Sequence, residues 1–343
     1  MFNNYLDYRK IDGYNANINE ILTIRGYGKS YGLHEKMLKH VLANKGRTFM
    51  YLVRRSVDIE DILSHDVIPF KAYLDDHKDI FYKADGACRV TMNRKGFFYD
   101  DIRIGHLFSL SKALRIKRLS FADVDYIMFD EFLIEERSDE KYLADEPNLF
   151  MNLYDTISRN RNNVKAYLLG NATVFYNPYN ILWNIEKPYK KDGKLYQNGR
   201  ILIYMKAPQD FIEYRKSCSV GQLIDGTGYA DMALYNRFQG EQLGFMKKRE
   251  KGCNYVCTLI AGSERVGVFI GNDGIYISEV YEPTSREIYC FDLYTQIKGA
   301  QIIGKTVRGT PVEIIINGYR NGLVYFETQK AKQLFYNILK KFI

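Results

Sequence analysis

The chain has 343 residues, of which 46% are hydrophobic and 26% charged, enough for two or three domains with real cores and unlike the composition of a disordered chain. A net charge of +8 with a pI near 8.9 is moderate and does not by itself argue for nucleic acid. No apolar run reaches the ~18 residues that cross a bilayer, residues 1–7 lack the blocks of a signal peptide, and five scattered cysteines form neither a disulfide framework nor a zinc-ligand pattern, so a cytoplasmic chain is expected.

In chain order, the first signal is the apolar run Ile18 to Ile24, suited to a buried strand. It leads into Thr23-Ile24-Arg25-Gly26-Tyr27-Gly28-Lys29-Ser30, after which Leu33, Met37, Leu38, Val41 and Leu42 recur at helical spacing. Strand, loop and helix in this order suit a P-loop. Backbone amides from Arg25, Gly26, Tyr27 and Gly28 would face the phosphates of ATP, Lys29 would reach the β- and γ-phosphates, and the Ser30 hydroxyl would hold Mg²⁺. Thr23 stands where the G-x-x-x-x-G-K-[ST] pattern has its first glycine, so a surface turn with an incidental Gly-Lys-Ser is the competing reading.

Phe49 to Val53 reads as a second strand, followed by Arg54-Arg55. Val67 to Asp101 alternates aromatic runs with Gly and Asp turns, which predicts an antiparallel insertion with Arg94-Lys95 at a hairpin tip. Tyr126-Ile127-Met128-Phe129-Asp130-Glu131 is an apolar strand ending in two carboxylates. Asp130 would share the Mg²⁺ shell with Ser30 and Glu131 would polarise the attacking water, the roles of a Walker B motif. A buried strand meeting solvent is the plainer alternative. Asn148 to Arg161 predicts a helix whose basic end, Arg159-Asn160-Arg161, either complements the helix dipole or supplies an arginine finger. Val164 to Leu169 is a further buried strand. It places Asn171 beyond its carboxyl end, where a nucleotide sensor would sit.

Lys190-Lys191 with Lys194, and Lys247-Lys248-Arg249 with Lys251, join Arg54-Arg55 as basic clusters. Each is a solvated face or a phosphate contact, and their recurrence makes a polyanionic partner plausible. Pro208 to Arg237 reads as a small helical linker or lid. From about Phe238 the character changes to short strands, Tyr255 to Ala261, Arg265 to Ile270 and Gly274 to Val280, and a helix from Gln329 to Phe342, a separate α+β domain. The expected limits are 1–207, 208–238 and 239–343.

Several blocks together resemble a known family. Arg25 to Ser30, Phe129-Asp130-Glu131-Phe132, Asp155 to Arg161, Asn171-Ala172, Asn177-Pro178-Tyr179 and Leu223-Ile224-Asp225-Gly226-Thr227-Gly228-Tyr229 are similar, in order, to blocks of the DNA-packaging ATPases of small protein-primed podoviruses, the Picovirinae type. The resemblance implies an α/β P-loop ATPase domain of the additional-strand, catalytic-glutamate class (RecA-like), a helical linker, and a C-terminal RNase H-like domain with a vestigial nuclease site. It implies a homo-oligomeric ring, a pentamer, that hydrolyses ATP with Mg²⁺ to move double-stranded DNA into a procapsid. The ring would work in the host cytoplasm at the portal vertex, with a structural packaging RNA as a further partner. Lys29, Ser30, Asp130, Glu131 and Arg159 match the family's Walker and finger positions. Arg161 is the second finger candidate, and Ser56-Val57-Asp58 departs from a lysine the family often carries there. Arg54, Arg55, Lys247, Lys248 and Arg249 are the candidate DNA contacts. Asp273, Glu279 and Asp292 are candidate metal carboxylates for a nuclease, and backbone binding without cleavage is expected of that domain. A DNA-binding structural protein with a degenerate P-loop and a helicase-like ATPase remain as alternatives.

Overall fold

The computed structural model describes residues 5–116, 119–134, 140–171, 177–183, 185, 192–235, 245–292, 297–304, 306–339 and 342. The chain divides into two compact units, Met1–Gln239 and Gly240–Ile343.

The first unit is built on a nine-stranded sheet. Its strands are β1 (Ile18–Thr23), β2 (Thr48–Val53), β3 (Val90–Asn93), β4 (Gly96–Tyr99), β5 (Ile102–Ser109), β6 (Val124–Phe129), β7 (Lys165–Gly170), β8 (Lys194–Tyr196) and β9 (Ile201–Lys206), in the order β3-β4-β5-β2-β6-β7-β1-β9-β8. From β5 to β9 every neighbouring pair is parallel, and β3, β4 and β8 extend the two edges antiparallel. Parallel strands with both faces covered are apolar throughout, which is why β1 is buried at all six positions. β7 lies between β1, which leads into the Gly-Lys-Ser loop, and β6, which ends at Asp130-Glu131. This is the inserted strand expected of the additional-strand class.

Helix α1 (Tyr8–Asp12) and α2 (Lys29–Ala43) cover one face, where Leu33, Met37 and Leu38 are fully buried with Ile21 and Ile24 of the β1 segment. Truncating any one of these to Ala removes packing worth about 2–5 kcal/mol. Next come α3 (Ser56–Ser64), α4 (Lys71–Asp76) and α5 (Lys78–Phe81). The last two occupy part of the stretch expected to be strands. Phe70, Tyr73 and Leu74 are buried at i, i+3 and i+4 spacing and Phe81 of α5 is buried in the same core, and that helical register prevails over the β preference of the aromatic rings. Only Val90 to Ser109 forms the antiparallel insertion, with Arg94-Lys95 at its turn and Arg94 paired to Glu60. On the other face α6 (Glu146–Ser158) buries Phe150, Leu153 and Ile157, joined by α7 (Pro178–Leu182).

After β9 the chain forms α8 (Gln209–Ser217), α9 (Ser219–Ile224) and α10 (Gly228–Ala233), so the segment read as a linker is helical and groups with the first unit. α8 and α9 turn so tightly that a Cβ at Gly221 would lie 1.8 Å from the Arg215 carbonyl oxygen. Only glycine fits there.

The second unit is a six-stranded sheet of β10 (Asn254–Ala261), β11 (Glu264–Gly271), β12 (Gly274–Ser278), β13 (Ile288–Cys290), β14 (Gln301–Ile302) and β15 (Val324–Phe326), ordered β14-β13-β10-β11-β12-β15, with α11 (Pro311–Arg320) and α12 (Gln329–Leu339). The meander β10-β11-β12 extended by parallel β13 and β14 is the strand order of an RNase H-like sheet. Both described helices follow β14, and β15 is added beside β12.

One residue of the first core is out of keeping with its neighbours. Glu20 lies in β1 on the face shared by Ile18 and Leu22, is completely buried, and neither carboxyl oxygen has a hydrogen-bond partner among the described residues. Burial raises its pKa to about 8. The unfolded chain ionises at the ordinary value of about 4.3, so the proton's contribution to stability is complete below that pH and is lost as pH rises through 8. Glu20→Met, which needs no proton, should therefore stabilise the protein by about 2–5 kcal/mol near pH 8 and by little near pH 4. Melting curves at the two pH values check this, and an equal shift at both contradicts it.

Candidate nucleotide-binding site

The loop after β1 closes through left-handed backbone at Gly26 and Gly28, each with φ of +83°. Gly28 caps the N-terminus of α2, so the amides that follow point out of the loop toward the space in front of the helix. Thr23 is fully buried and is not among the positive-φ residues, so the position of the missing glycine makes no demand that threonine fails to meet. The loop is braced from beneath by Tyr8, whose hydroxyl donates to the Lys29 carbonyl at 2.7 Å, and its Tyr27 ring is buried against Phe211 of α8 at 5.0 Å between centroids.

Three strand ends converge in front of this loop. Lys29, at the start of α2 after the β1 loop, donates to Oδ1 of Asn171, just beyond β7, at 2.7 Å, and Ser30 donates to Oδ2 of Asp130, just beyond β6, at 2.9 Å. The insertion of β7 explains the first contact: Asn171 is delivered between the lysine and the acidic pair. Burial lowers the Lys29 pKa, against the pull of Asp130, and burial raises the Asp130 carboxyl above its usual range, against the Ser30 hydrogen bond and Lys29. Both charges are therefore held in a site that favours an added counter-charge. A hydroxyl and a carboxylate 2.9 Å apart are hard oxygen donors, the set that suits Mg²⁺.

Glu131 is exposed and adopts φ of +51°, a left-handed conformation uncommon for a non-glycine residue, and its amide donates to Asp130 Oδ1 at 3.1 Å. Its backbone is held from behind by Arg54, which donates to the carbonyls of Glu131 at 3.3 Å and Phe132 at 2.7 Å. Arg54 is buried, paired to the fully buried Glu146 at 3.0 Å, and its guanidinium lies over the Phe129 and Tyr142 rings. A guanidinium so enclosed is not offered to DNA, and it belongs to the architecture behind the acidic pair. Arg55 is exposed but donates to the Lys141 carbonyl at 2.5 Å. Ser56-Val57-Asp58 forms the first turn of α3, where Asp58 accepts from the Arg55 amide at 2.7 Å, so a helix cap occupies the place of the family's lysine.

The remaining residues lie apart from this cluster. α6 runs back between two parallel strands and delivers Arg159 to the edge of the sheet where the strands begin, with the backbone at φ +39° and the side chain donating to the Leu119 carbonyl at 2.6 Å. Arg161 is tied down by the carbonyls of Phe121, Val124 and Ile157 and lies 3.5 Å from Asp125, which leaves Arg159 as the more available of the two. In the second unit Lys247 pairs with Asp273, and Arg249 pairs with Glu327 and covers the Phe269 ring. Lys248 and Lys251 are exposed. Asp273 also accepts from Tyr276, Glu279 is engaged by Lys330 and Thr328, and Asp292 accepts from the Gly262 amide, so the three carboxylates have separate partners. Lys190, Lys191 and Ala172 lie outside the described residues. Sequence reading had no signal for Tyr8 and Glu146, whose roles depend on distant partners, or for Glu20 and Arg215, whose burial is set by tertiary packing.

The family model for the podovirus DNA encapsidation protein (Gp16) matches residues 3–343. The DNA packaging protein of Bacillus phage B103 is 26% identical over 330 residues, covering 96% of this chain and 98% of that protein. The DNA packaging protein of Bacillus phage phi29 is 26% identical over 335 residues, covering 97% and 96%. Among solved structures, a chain of the bacteriophage Phi-29 viral genome packaging motor assembly superposes with a TM-score of 0.71 at 23% identity, covering 98% of this chain and 99% of that one. A chain of the Phi-28 packaging motor gives 0.69 at 16% identity, covering 98% and 97%. These two establish a shared fold.

Proposed function

Because the chain belongs to the podovirus DNA encapsidation protein (Gp16) family, we propose that its first unit hydrolyses ATP to drive double-stranded DNA into a procapsid. The observation that carries this reading is the convergence of Lys29, Asn171, Ser30 and Asp130 at three adjacent strand ends in front of a helix N-terminus, with Glu131 beside them. Loop amides and Lys29 bind and orient the phosphates. Ser30 and Asp130 would hold Mg²⁺, which neutralises phosphate charge when bound. Glu131 accepts the proton of the attacking water while Asn171, now on Lys29, is placed to follow the γ-phosphate.

The catalytic unit in this reading is a homo-oligomeric ring, a pentamer at the portal vertex, in which Arg159 completes a neighbour's site. A structural RNA is a further proposed partner. The test is phosphate release by the full chain with Mg²⁺, with and without double-stranded DNA. Turnover stimulated by DNA is expected, and binding of DNA with no Mg²⁺-dependent turnover would leave a DNA-binding structural protein instead.

For the second unit we propose DNA backbone contact through Lys248 and Lys251, the members of the basic cluster that form no ion pair among the described residues, without strand cleavage. Replacing both by Ala should weaken DNA binding alike on different sequences and reduce the slope of log affinity against log salt by about 2. Incubation of supercoiled DNA with Mn²⁺ should leave it intact. Nicking that disappears in Asp273→Ala or Asp292→Ala would instead reveal an active nuclease.

A further inference from the structure

α8 follows the last long strand, outside the Walker blocks, yet it packs directly against the phosphate-binding loop. Phe211 of α8 is buried against Tyr27 and also meets Tyr5 edge-on at 6.2 Å. Arg215 lies one helical turn beyond Phe211 and so on the same face. A Cβ built on Gly26 would be 3.8 Å from Arg215 Nη1 and 3.9 Å from its Cζ. The guanidinium therefore stands beside the exposed middle of the loop, and any side chain at Gly26 would meet it.

What makes this placement informative is that one donor of the Arg215 guanidinium is left unmet. Among the described residues its buried Nε has no hydrogen-bond partner and no carboxylate pairs with it. Neighbouring cations are handled differently: Lys216 is paired with Asp225, and Arg25 donates to the Tyr229 hydroxyl at 2.6 Å. A guanidinium with an unmet buried donor is costly unless a ligand supplies the acceptor. The nearest ligand chemistry is polyphosphate, since the loop it flanks leads into the N-terminus of α2, where the first helical amides lack partners within the helix.

We infer that Arg215 is a phosphate ligand supplied in cis by α8 to the nucleotide held by the Gly26 to Ser30 loop. This rests on the proposed nucleotide site and adds to it a contact from outside the Walker motifs. The contact has a mechanical consequence. α8 is joined to α9 through the glycine-only turn at Gly221, and Tyr229 at the start of α10 is clasped to Arg25 of the loop, so the 209–233 segment touches the loop from two sides. Loss of a phosphate would release one of the two ties.

The test is equilibrium binding of a fluorescent, non-hydrolysable ATP analogue to the full chain, alongside melting curves with and without it. Arg215→Ala should weaken binding roughly ten- to a hundred-fold, the effect of removing one charge-assisted hydrogen bond, and should shrink the nucleotide-induced rise in Tm, while the nucleotide-free protein should melt no lower than wild type because the unmet donor is gone. Arg215→Lys should restore part of the affinity, and Arg215→Met, which keeps the apolar stem, should not. Unchanged affinity in Arg215→Ala, with binding still lost in Lys29→Ala, overturns the inference and leaves the P-loop reading standing. Loss of nucleotide-free stability in proportion to affinity, with Met restoring both, makes Arg215 a packing residue and also overturns it. Absence of binding in the wild type would bring down both readings together.

Discussion

Glu131→Gln should bind ATP and Mg²⁺ about as tightly as wild type and turn over at least ~10²-fold more slowly, because the substitution keeps the volume and backbone of the residue and removes only its capacity to accept a proton. Lys29→Ala should instead fail at the binding step. The contrast follows from geometry. Lys29 is part of the hydrogen-bonded cluster with Asn171, whereas Glu131 projects from it on a left-handed backbone, exposed and supported through main-chain carbonyls by Arg54. Nucleotide binding by fluorescence and single-turnover phosphate release, measured on the same preparations, separate the two steps. Equal turnover in wild type and Glu131→Gln would remove this residue from catalysis. If Asp130 holds Mg²⁺ as proposed, acidification should weaken Mg²⁺-dependent turnover, since its carboxyl, raised by burial, takes up a proton at higher pH than an ordinary aspartate.

The parts of the fold legible in the sequence were those governed by local pattern. The apolar run of β1, the helical spacing of Leu33, Met37, Leu38 and Val41, and the carboxylates ending β6 each announce themselves within ten or fifteen residues. Their relative order also carried the position of Asn171, since a strand's carboxyl end is where a bound nucleotide lies. What was not legible depends on partners far along the chain. Arg54 resembles a solvated cation beyond a strand until Glu146, 92 residues later, is seen to enclose it. Lys247 and Arg249 look like a phosphate-binding cluster until Asp273 and Glu327 arrive from two other elements. The stretch around Tyr73 and Phe81 shows the converse: aromatic residues favour strands on average, but their burial at helical spacing decided otherwise. Charge clusters and aromatic runs are ambiguous because their meaning is set by tertiary partners, while apolar periodicity is not.

Arg159→Ala should leave nucleotide affinity nearly intact and lower turnover by roughly 10³-fold or more, as removal of an arginine finger does elsewhere. The topology constrains whose site it could complete. α6 connects two parallel neighbours, so its C-terminal end must return to the edge where β7 begins, and the loop that holds Lys29 lies at the opposite edge, about 20 Å away for strands of six residues. Arg159 is thus on the wrong side of its own sheet to touch its own nucleotide. It is exposed, its backbone is a left-handed cap, and its guanidinium Nη2 donates to the Leu119 carbonyl, a bond it would exchange to reach a neighbour's phosphate in the proposed ring. The decisive experiment mixes Arg159→Ala subunits with Lys29→Ala subunits, each inactive alone. If the finger acts between subunits, some interfaces pair an intact loop with an intact arginine, and activity returns in part in rings verified to contain both. No recovery in such rings would reduce Arg159 to a cap on α6, leaving developing phosphate charge to be stabilised by other cations.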